Sequence, residues 1–431
     1  MINNLDTADH MMSKPNLMYH DTNSWENSQL KVLNVVVSTP KSRGGAIRAG
    51  LQLGESLTDY VQVDNLKMAG EHDEALVEEL TLDAGLSTTP SRTLFRDIVR
   101  SVIDTRVNFE NTVIWTELHT PKPLKDYDIV HVHNAVPLWG LLSVTLRCRI
   151  ANVPYVVTTH GISKLPDLPN NADLSRLQSL IFKQLYLRPY LNTLGNAAHL
   201  FALSEGDKQR LSGYVPGQSV SVVPNGVSIN RTNERAHAAV AEELQLNRDK
   251  PILLFVGKIM GSKGVTNLLD AYEQLDTDCT LVVVGPSKDD KLVERLNEYT
   301  QAGVKYLGYT EQYRLDALFK LADLFVFPTR ADVFPLVTLE AMAAGTPVVT
   351  TNVGGLSEQI SEETGILVEP EDSEAVTRAV DEFLKDEERL QNASDAALDR
   401  VRENFSWNKV AEKTATTYID ILKQESAQNI E

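Results

Sequence analysis

The chain has 431 residues and a formal net charge of −18, a composition that excludes several classes of protein. The length is sufficient for two or three domains with separate cores. The net charge is −3 over residues 1–225 and −15 over residues 226–431. Because nucleic-acid binding depends on neutralising phosphates with Lys and Arg, so acidic a chain is a poor candidate for binding DNA or RNA.

The sequence carries no recognisable signal for membrane insertion or export. No apolar run approaches the ~18 residues that a membrane-spanning helix needs. The longest run, Ala135–Leu146, is interrupted by Pro137 and Gly140. The N-terminus has no basic segment leading into an apolar stretch, so we expect no secretion signal. Cys148 and Cys279 are expected to be reduced thiols, which favours a cytoplasmic protein.

The first half of the chain alternates short β-branched runs with longer amphipathic stretches. Residues 1–30 are polar and aperiodic, and they predict a flexible leader. The alternation from Lys31 onward is typical of βαβ units in a parallel sheet. The predicted strands are Val32–Val37, Val113–Trp115, Ile129–His133, Tyr155–Thr159, Leu200–Leu203 and Val220–Val223, with helices over Ser91–Asp104 and Leu174–Leu194 among others.

The second half repeats this pattern after a hydrophilic segment, Ser228–Asp249, which we interpret as a linker. Its predicted strands are Ile252–Val256, Leu281–Val284, Lys305–Leu307, Leu324–Phe327, Val348–Thr350 and Ile366–Val368. We therefore predict an α/β protein with two Rossmann-like, doubly wound parallel-sheet domains, residues 31–225 and 226–405, facing a central cleft. A last helix, residues 406–424, is expected to pack back on the first domain.

The most informative segment is Phe327–Val349, where a buried strand ends at Pro328 and a loop with Asp332 leads into a helix that opens near Phe334–Leu336. The first N–H groups of a helix have no partner within it and can bind a phosphate. Glu340 follows about one turn into that helix, where a carboxylate can accept both hydroxyls of a ribose.

This segment resembles the signature of the retaining glycosyltransferases of family four, which have the GT-B fold. In that family an acid, seven further residues and a Glu precede Ala-Met-Ala-x-Gly-x-Pro-Val-Val. The resemblance implies that Asp332 lies by the donor sugar, that Glu340 binds the nucleotide ribose, and that the amides of Leu336 and Val337 contact the diphosphate. The first acid is usually Glu; here it is Asp, one methylene shorter, which affects the sugar preference.

A second segment, Phe255–Val265, is a strand followed by a glycine turn and a helix start. Lys258 and Lys263 supply positive charge, which suits a diphosphate leaving group beside a helix N-terminus. The family has a similar basic turn, with Arg in place of Lys258; Lys lacks the two-pronged contact of Arg. The resemblance also implies that Gly308 and Tyr309 lie where the nucleobase is received and that the Gly-Gly after Val353 lies beside the donor.

Two segments of the first half resemble the family's cleft. Gly44 and Gly45 follow the first strand without the full spacing of a dinucleotide-binding loop. The resemblance implies that they face donor and acceptor, and that His160, in Thr-Thr-His-Gly, lies near the reacting sugar. His131 and His133 share one strand face and lack a third ligand nearby in sequence, so we interpret them as strand residues and expect no metal.

Three arginines spaced by four, Arg92, Arg96 and Arg100, would line one helix face. Such a basic stripe either is simply solvated or contacts anionic lipid or a phosphorylated acceptor through the N-terminal domain.

The predicted function is therefore retaining transfer of a hexose-type sugar from an NDP-sugar to a glycan, lipid-linked or other hydroxyl acceptor, without a metal or other cofactor, in the cytoplasm or at the inner membrane face. The alternatives are an NDP-sugar epimerase or phosphorylase on the same fold, or a non-catalytic sugar-nucleotide-binding protein. The catalytic candidates are His160, Asp332 and Glu340. The donor-binding candidates are Gly44, Gly45, Lys258, Lys263, Gly308, Tyr309, Phe334, Leu336, Val337 and Glu340.

Overall fold

The computed structural model describes residues 30–38, 44–68, 87–89, 91–92, 115–116, 120–133, 138–161, 176–229 and 234–428. Within these ranges the chain forms two parallel sheets, one in each half, each flanked by helices. The prediction of two doubly wound α/β domains is confirmed.

Seven parallel strands form the first sheet, in the order β3-β2-β1-β6-β7-β8-β9. The strands of this half are Lys31–Val37 (β1), Gln62–Met68 (β2), Ser87–Thr89 (β3), Ser91–Arg92 (β4), Trp115–Thr116 (β5), Ile129–His133 (β6), Tyr155–Thr158 (β7), His199–Ala202 (β8) and Val220–Val222 (β9). The short strands β4 and β5 form a separate antiparallel pair. Strand β1 is buried from Val32 to Val37 because it pairs with β2 on one side and β6 on the other.

The helices of this half are Gly45–Ser56 (α1), Leu138–Ala151 (α2), Arg176–Phe182 (α3), Arg188–Gly195 (α4) and Glu205–Tyr214 (α5). A π-helical turn, Lys183–Leu187, makes α3 and α4 one continuous helical segment. That segment begins at Arg176 and ends at Gly195, one residue after the end of the predicted helix Leu174–Leu194.

Six parallel strands form the second sheet, in the order β12-β11-β10-β13-β14-β15. Their bounds are Ile252–Val256 (β10), Thr280–Val284 (β11), Val304–Gly308 (β12), Leu324–Phe327 (β13), Val348–Thr351 (β14) and Gly365–Val368 (β15). The order reverses direction between β10 and β13. In an open sheet of this kind, the crevice beyond the carboxyl ends of the two strands at the reversal is the usual ligand position.

The helices of the second half alternate with its strands and continue after the last of them. They are Glu234–Glu243 (α6), Val265–Tyr272 (α7), Asp290–Glu298 (α8), Gln312–Leu321 (α9), Leu336–Ala343 (α10), Leu356–Gln359 (α11), Ser373–Leu384 (α12), Glu387–Arg400 (α13) and Trp407–Gln428 (α14). Helix α6 lies inside the segment that we interpreted as a linker, so that interpretation is wrong over these residues. Its Val240 and Ala241 are buried in the core of the second sheet, which explains why a largely hydrophilic segment folds.

Two other expectations for the first half need correction. Strand β2 was not among the predicted strands, because its sequence is polar; Asn65 and Lys67 are nevertheless buried in it. Asn65 Oδ1 accepts a hydrogen bond from Asn34 Nδ2 at 2.8 Å, which satisfies the buried amide oxygen. The helix predicted over Ser91–Asp104 begins instead as strand β4, and its residues after Arg92 lie outside the described ranges.

The last helix, α14, starts beside the second domain and packs along the first. Its Val410, Ala411 and Tyr418 are buried together with residues of α1 and β1. The chain thus passes between the domains twice, and the two passages touch. Val227 N–H donates to the Phe405 carbonyl at 2.8 Å, and Trp407 N–H donates to the Val227 carbonyl at 3.3 Å.

Candidate functional site

The loops after β10 and β13 meet at the point where the strand order of the second sheet reverses. The Ser262 carbonyl accepts a hydrogen bond from Arg330 N–H at 2.9 Å, and Thr329 Oγ1 lies 3.2 Å from the same carbonyl oxygen. Gly264 lies in the left-handed region (φ 74°), and a Cβ there would come within 1.8 Å of the Pro328 carbonyl oxygen. Only glycine fits this close approach, and the result is that Lys263 lies against the Asp332 loop.

Lys263 and Asp332 form a two-pronged ion pair. The Lys263 Nζ donates to Asp332 Oδ1 at 2.8 Å and to Oδ2 at 2.7 Å. Thr329 Oγ1 also donates to Oδ2, at 2.9 Å. The two charged side chains keep 22% and 16% of their surface exposed, so the pair lines an accessible wall of the site. The sequence predicted both residues as part of the donor site, but not that they contact each other.

Helix α10 begins beside this pair and opens without a side-chain cap. Pro335 precedes Leu336, and no side chain accepts from the first turn. The N–H groups of Leu336 and Val337 have no partner within the helix, as at any helix start. Gln359 of α11 donates to the Pro335 carbonyl at 3.0 Å, and Thr338 Oγ1 donates to the same carbonyl at 3.0 Å. These bonds hold the residue before the helix in place, and the free N–H groups of the first turn could bind an anion.

The glycine loop after β14 supports the segment between Asp332 and this helix. Gly355 N–H donates to the Val333 carbonyl at 2.6 Å. Phe334 is buried in the core, and Asn225 Nδ2 from the end of the first domain donates to its carbonyl at 2.8 Å. Phe334 therefore fixes the loop through packing and a contact between the domains.

Glu340 lies on α10 and faces helix α1 of the first domain. Arg48 Nη2 is 3.9 Å from Glu340 Oε1 and donates to Gln312 Oε1 of α9 at 2.9 Å. Gly45, at the start of α1, lies close enough to Leu336 that a Cβ would be 3.7 Å from its Cδ1. The predicted Gly44-Gly45 loop thus adjoins the opening of α10, and Arg48 is a charged cleft residue that the sequence did not reveal.

A cavity of about 880 Å³ lies along this contact between the domains. Glu340, Leu336 and Arg48 contribute to its walls, but other walls come from residues 226–229 and from Trp407. Neither Lys263 nor Asp332 lines it. The cavity therefore extends from Glu340 toward the passages between the domains, away from the ion pair.

The first domain contributes His160 and Gly161 at the carboxyl end of β7. His160 has φ 46°, an uncommon value for a residue with a Cβ. The neighbouring Gly161 approaches the second domain so closely that a Cβ would lie 2.5 Å from Val333 Cγ2. His160 is consequently one residue from a contact with the loop that carries Asp332.

A buried group of histidines stands behind His160. His133 Nδ1 is 3.2 Å from His160 Nε2, and the rings of His131 and His133 have centroids 3.9 Å apart. His131 Nδ1 contacts Tyr418 Oη of α14 at 2.6 Å, and its Nε2 contacts Thr158 Oγ1 at 2.7 Å. His131 and His133, which we predicted to have no role beyond the strand, thus connect the last helix to His160 in the cleft.

Burial keeps these imidazoles neutral. Desolvation lowers the pKa of His160 to about 4. Desolvation likewise holds the pKa of His131 and of His133 well below 6.5, and neighbouring histidines lower it further. A neutral His160 can donate one hydrogen bond and accept another, but it cannot act as a cation near pH 7.

Two of the predicted donor-binding segments lie at the surface. Lys258 is exposed, and among the described residues no carboxylate pairs with it. Gly308 has φ 63°, and the following Tyr309 is 70% exposed. Their roles in donor binding stay predictions.

Other expectations lie outside what the structure describes, among them nearly all of the predicted leader, residues 1–30, and the side chains of Arg92, Arg96 and Arg100. Within the described ranges, no group of three or more His, Cys, Asp or Glu residues is placed to bind a metal ion. No helix in those ranges is both long and apolar enough to cross a bilayer.

Comparison with known proteins agrees with this architecture. Residues 89–231 match the model described as Glycosyltransferase Family 4, and residues 238–400 match that of Glycosyl transferases group 1. The chain belongs to glycosyltransferase family four. In this family-four glycosyltransferase, the second matched region contains the whole six-stranded sheet, and the first contains strands β6–β9 of the seven-stranded sheet.

Characterised relatives are similar over most of this glycosyltransferase. The lipopolysaccharide 1,2-N-acetylglucosaminetransferase of Salmonella typhimurium is 28% identical over 304 residues, 66% of this chain and 71% of the relative. The D-inositol 3-phosphate glycosyltransferase of Nocardia farcinica is 30% identical over 312 residues, 68% of this chain and 66% of the relative.

Solved structures share the GT-B fold. Anabaena HepE in complex with UDP-glucose matches with a TM-score of 0.68 at 20% identity, over 91% of this chain and 100% of HepE. The sucrose-phosphate synthase of Thermosynechococcus elongatus matches with a TM-score of 0.67 at 20% identity, over 92% of this chain and 100% of the synthase.

Proposed function

We propose that this glycosyltransferase moves a hexose-type sugar from a nucleoside diphosphate sugar to an acceptor hydroxyl, with retention at the anomeric carbon. The observation that carries the proposal is the Lys263–Asp332 ion pair beside the uncapped start of α10. A cation and free helix amides suit a diphosphate, and a carboxylate beside them suits the hydroxyls of a sugar.

The donor would lie along α10. Its diphosphate would contact the N–H groups of Leu336 and Val337, and its ribose would contact Glu340, one turn further along. Gly308 and Tyr309 would receive the base. We propose a uridine donor, because HepE, which has the same fold, is known in complex with UDP and with UDP-glucose.

The reaction would proceed on one face of the sugar. As the bond between the anomeric carbon and the diphosphate breaks, negative charge grows on the phosphate oxygens. Lys263, Lys258 and the helix amides would stabilise that charge. The departing diphosphate would accept the proton of the attacking hydroxyl, so the new bond forms where the old one broke. In this scheme protein groups hold the diphosphate, and no metal or other cofactor is required.

Asp332 and His160 would orient the sugar from opposite walls of the cleft. Asp332 is already held by Lys263 and Thr329, so its position is set before the donor arrives. His160 is neutral, which suits a hydrogen bond to a sugar hydroxyl. The acceptor would be a glycan, lipid-linked or other hydroxyl, with a lipid-linked acceptor presented at the inner membrane face. The relative from Salmonella typhimurium, which is named for lipopolysaccharide, supports a glycan acceptor.

The first test is a thermal-shift screen against UDP, GDP, ADP and their sugar conjugates, with and without Mg²⁺. Ligand at about 100 times its Kd stabilises the folded state by about 2.7 kcal/mol. We expect uridine nucleotides to raise Tm equally with and without Mg²⁺. Stabilisation by none of the nucleotides would contradict the proposed function.

Turnover then separates the alternatives. Release of UDP that depends on an added acceptor identifies a transferase. Interconversion of donor sugars without an acceptor would identify an epimerase. Binding without any turnover would leave a non-catalytic nucleotide-binding protein.

A further inference from the structure

Two histidines, His133 and His160, join the buried centre of the first sheet to the cleft. His133 is the last residue of β6 and is only 1% exposed. Its Nδ1 lies 3.2 Å from His160 Nε2, so the two nitrogens share one hydrogen bond. One of them carries the proton and the other accepts it. The choice between them determines what the second nitrogen of each ring can do.

The His133 ring is confined by its neighbours. Gly50 of α1 approaches it so closely that a Cβ there would lie 2.9 Å from His133 Cγ. The ring of His131 lies against it, with the centroids 3.9 Å apart and the planes inclined by 34°. His131 is itself held by a contact at each of its ring nitrogens. His133 therefore presents Nδ1 to His160 from a fixed position.

The second nitrogen of each ring is buried and has no hydrogen-bond partner among the described residues. These nitrogens are His133 Nε2 and His160 Nδ1. His133 is buried as a whole, whereas His160 keeps partial exposure at the carboxyl end of β7, where the cleft lies. Buried N–H groups without an acceptor are rare in native proteins. We therefore expect the His133 proton on Nδ1, which leaves only a lone pair at Nε2 in the core.

We propose that His133 is a positioning residue, whose Nδ1–H donates to His160 Nε2 and so fixes His160 as the tautomer with its proton on Nδ1. That tautomer offers an N–H group to a hydroxyl oxygen of the transferred sugar. The inference rests on the proposed function, in which His160 orients the sugar. The left-handed backbone of His160, at φ 46°, agrees with it, because such uncommon conformations cluster at functional sites.

This arrangement requires both rings to be neutral. A protonated His160 would carry N–H groups on both nitrogens and could not accept a hydrogen bond from His133. Burial lowers the pKa of His160 to about 4 and holds the pKa of His133 well below 6.5. Near pH 7 both rings are therefore neutral, and a single hydrogen bond can link them.

The first experiment reads the tautomer directly, by nitrogen NMR of protein labelled with ¹⁵N-histidine, with His160→Gln assigning the His160 ring. We expect the His160 proton on Nδ1. His133→Leu removes the partner and should leave a mixture of the two tautomers. His133→Asn keeps an amide N–H where Nδ1 was and should keep the wild-type tautomer. A wild-type His160 proton on Nε2, or an unchanged tautomer in His133→Leu, would overturn the proposal.

Steady-state kinetics then test whether the tautomer matters for transfer. His133→Leu should lower kcat about 10- to 100-fold, the usual cost of removing a partner that orients a functional imidazole. Its thermal shift with UDP should stay at the wild-type value, which also shows that the variant is folded. His133→Asn should restore most of the lost kcat.

The matched control is His199→Leu. It replaces another buried histidine of the same sheet, whose Nε2 contacts Ser221 Oγ at 2.8 Å. This variant should keep the wild-type kcat and the wild-type His160 tautomer. A wild-type kcat in His133→Leu, or equal losses of kcat in His133→Leu and either His133→Asn or His199→Leu, would overturn the positioning role.

The two readouts separate this proposal from the proposed function. A wild-type protein that binds no nucleotide and transfers no sugar, yet loses its His160 tautomer in His133→Leu, would contradict the proposed function and leave the coupling of the two rings standing. Sugar transfer that does not respond to His133→Leu would contradict the positioning role alone.

Discussion

At the residue scale, the Lys263–Asp332 ion pair determines the charges that the proposed donor site presents. In the protein without a donor, the Lys263 ammonium is paired with the Asp332 carboxylate. In the proposed donor complex, the ammonium of this ion pair would face the diphosphate and the carboxylate would face the sugar. The usual Glu at this position would place its carboxylate one methylene further along, so the pairing distance depends on the shorter side chain.

We predict that Lys263→Ala lowers kcat by about a hundredfold or more, because a group that stabilises developing charge is lost. Asp332→Asn should lower kcat as well, while leaving UDP binding close to wild type. The measurements are steady-state kinetics and thermal shift with UDP, with exposed Lys291→Ala as the control. A Lys263→Ala enzyme of near wild-type kcat would remove Lys263 from the mechanism.

The buried histidines give a prediction about pH. Their pKa values are lowered in the folded protein, so the unfolded chain binds protons below about pH 6.5 that the folded protein does not. The free energy of unfolding should therefore fall as the pH decreases from about 6.5 through about 4. Urea denaturation across this range measures it.

A His160→Gln variant cannot take up this proton, so its stability should decline less steeply over the same pH range. Equal slopes for the variant and the wild type would show that His160 is not buried as a neutral imidazole.

At the element scale, the sequence predicted the apolar strands and the helix that follows them, but it did not predict a polar strand. Strands β10 and β13 are continuous apolar runs, and their predicted bounds match the structure. Helix α10 begins at Leu336, which lies at the end of its predicted opening, Phe334–Leu336. Strand β2 was missed because the burial of Asn65 depends on a partner, Asn34, that is distant in sequence.

The contacts within the site also could not be predicted, because they join residues that are far apart in the sequence. Lys263 and Asp332 are 69 residues apart, and Arg48 and Gln312 are 264 residues apart. A single sequence indicates which side chains carry charge at strand ends, but the pairing between them depends on how loops and domains pack. The family resemblance supplied roles for individual residues and no contacts between them.

At the scale of the whole molecule, helix α14 makes the two domains depend on each other. Tyr418 is fully buried beside His131, and Trp407 is 5% exposed against Gly226 at the passage between the domains. The first domain therefore completes its core with residues from the end of the chain.

We predict that Trp407→Ala destabilises the protein by about 3–5 kcal/mol, the cost of removing a large buried aromatic side chain. Urea denaturation of the variant measures this loss, and exposed Lys409→Ala serves as the control from the same helix. A loss below about 1 kcal/mol would show that the junction contributes little to stability.

The two adjacent passages of the chain at Val227 and Trp407 also constrain motion between the domains. We expect two hydrogen-bonded passages that run side by side to bend more easily than they twist or slide. Relative motion of the domains would then be mainly rotation about one axis at the crossing. The displacement of any pair of facing residues grows in proportion to its distance from that axis, so a small angle at the crossing suffices to separate distant walls of the cleft.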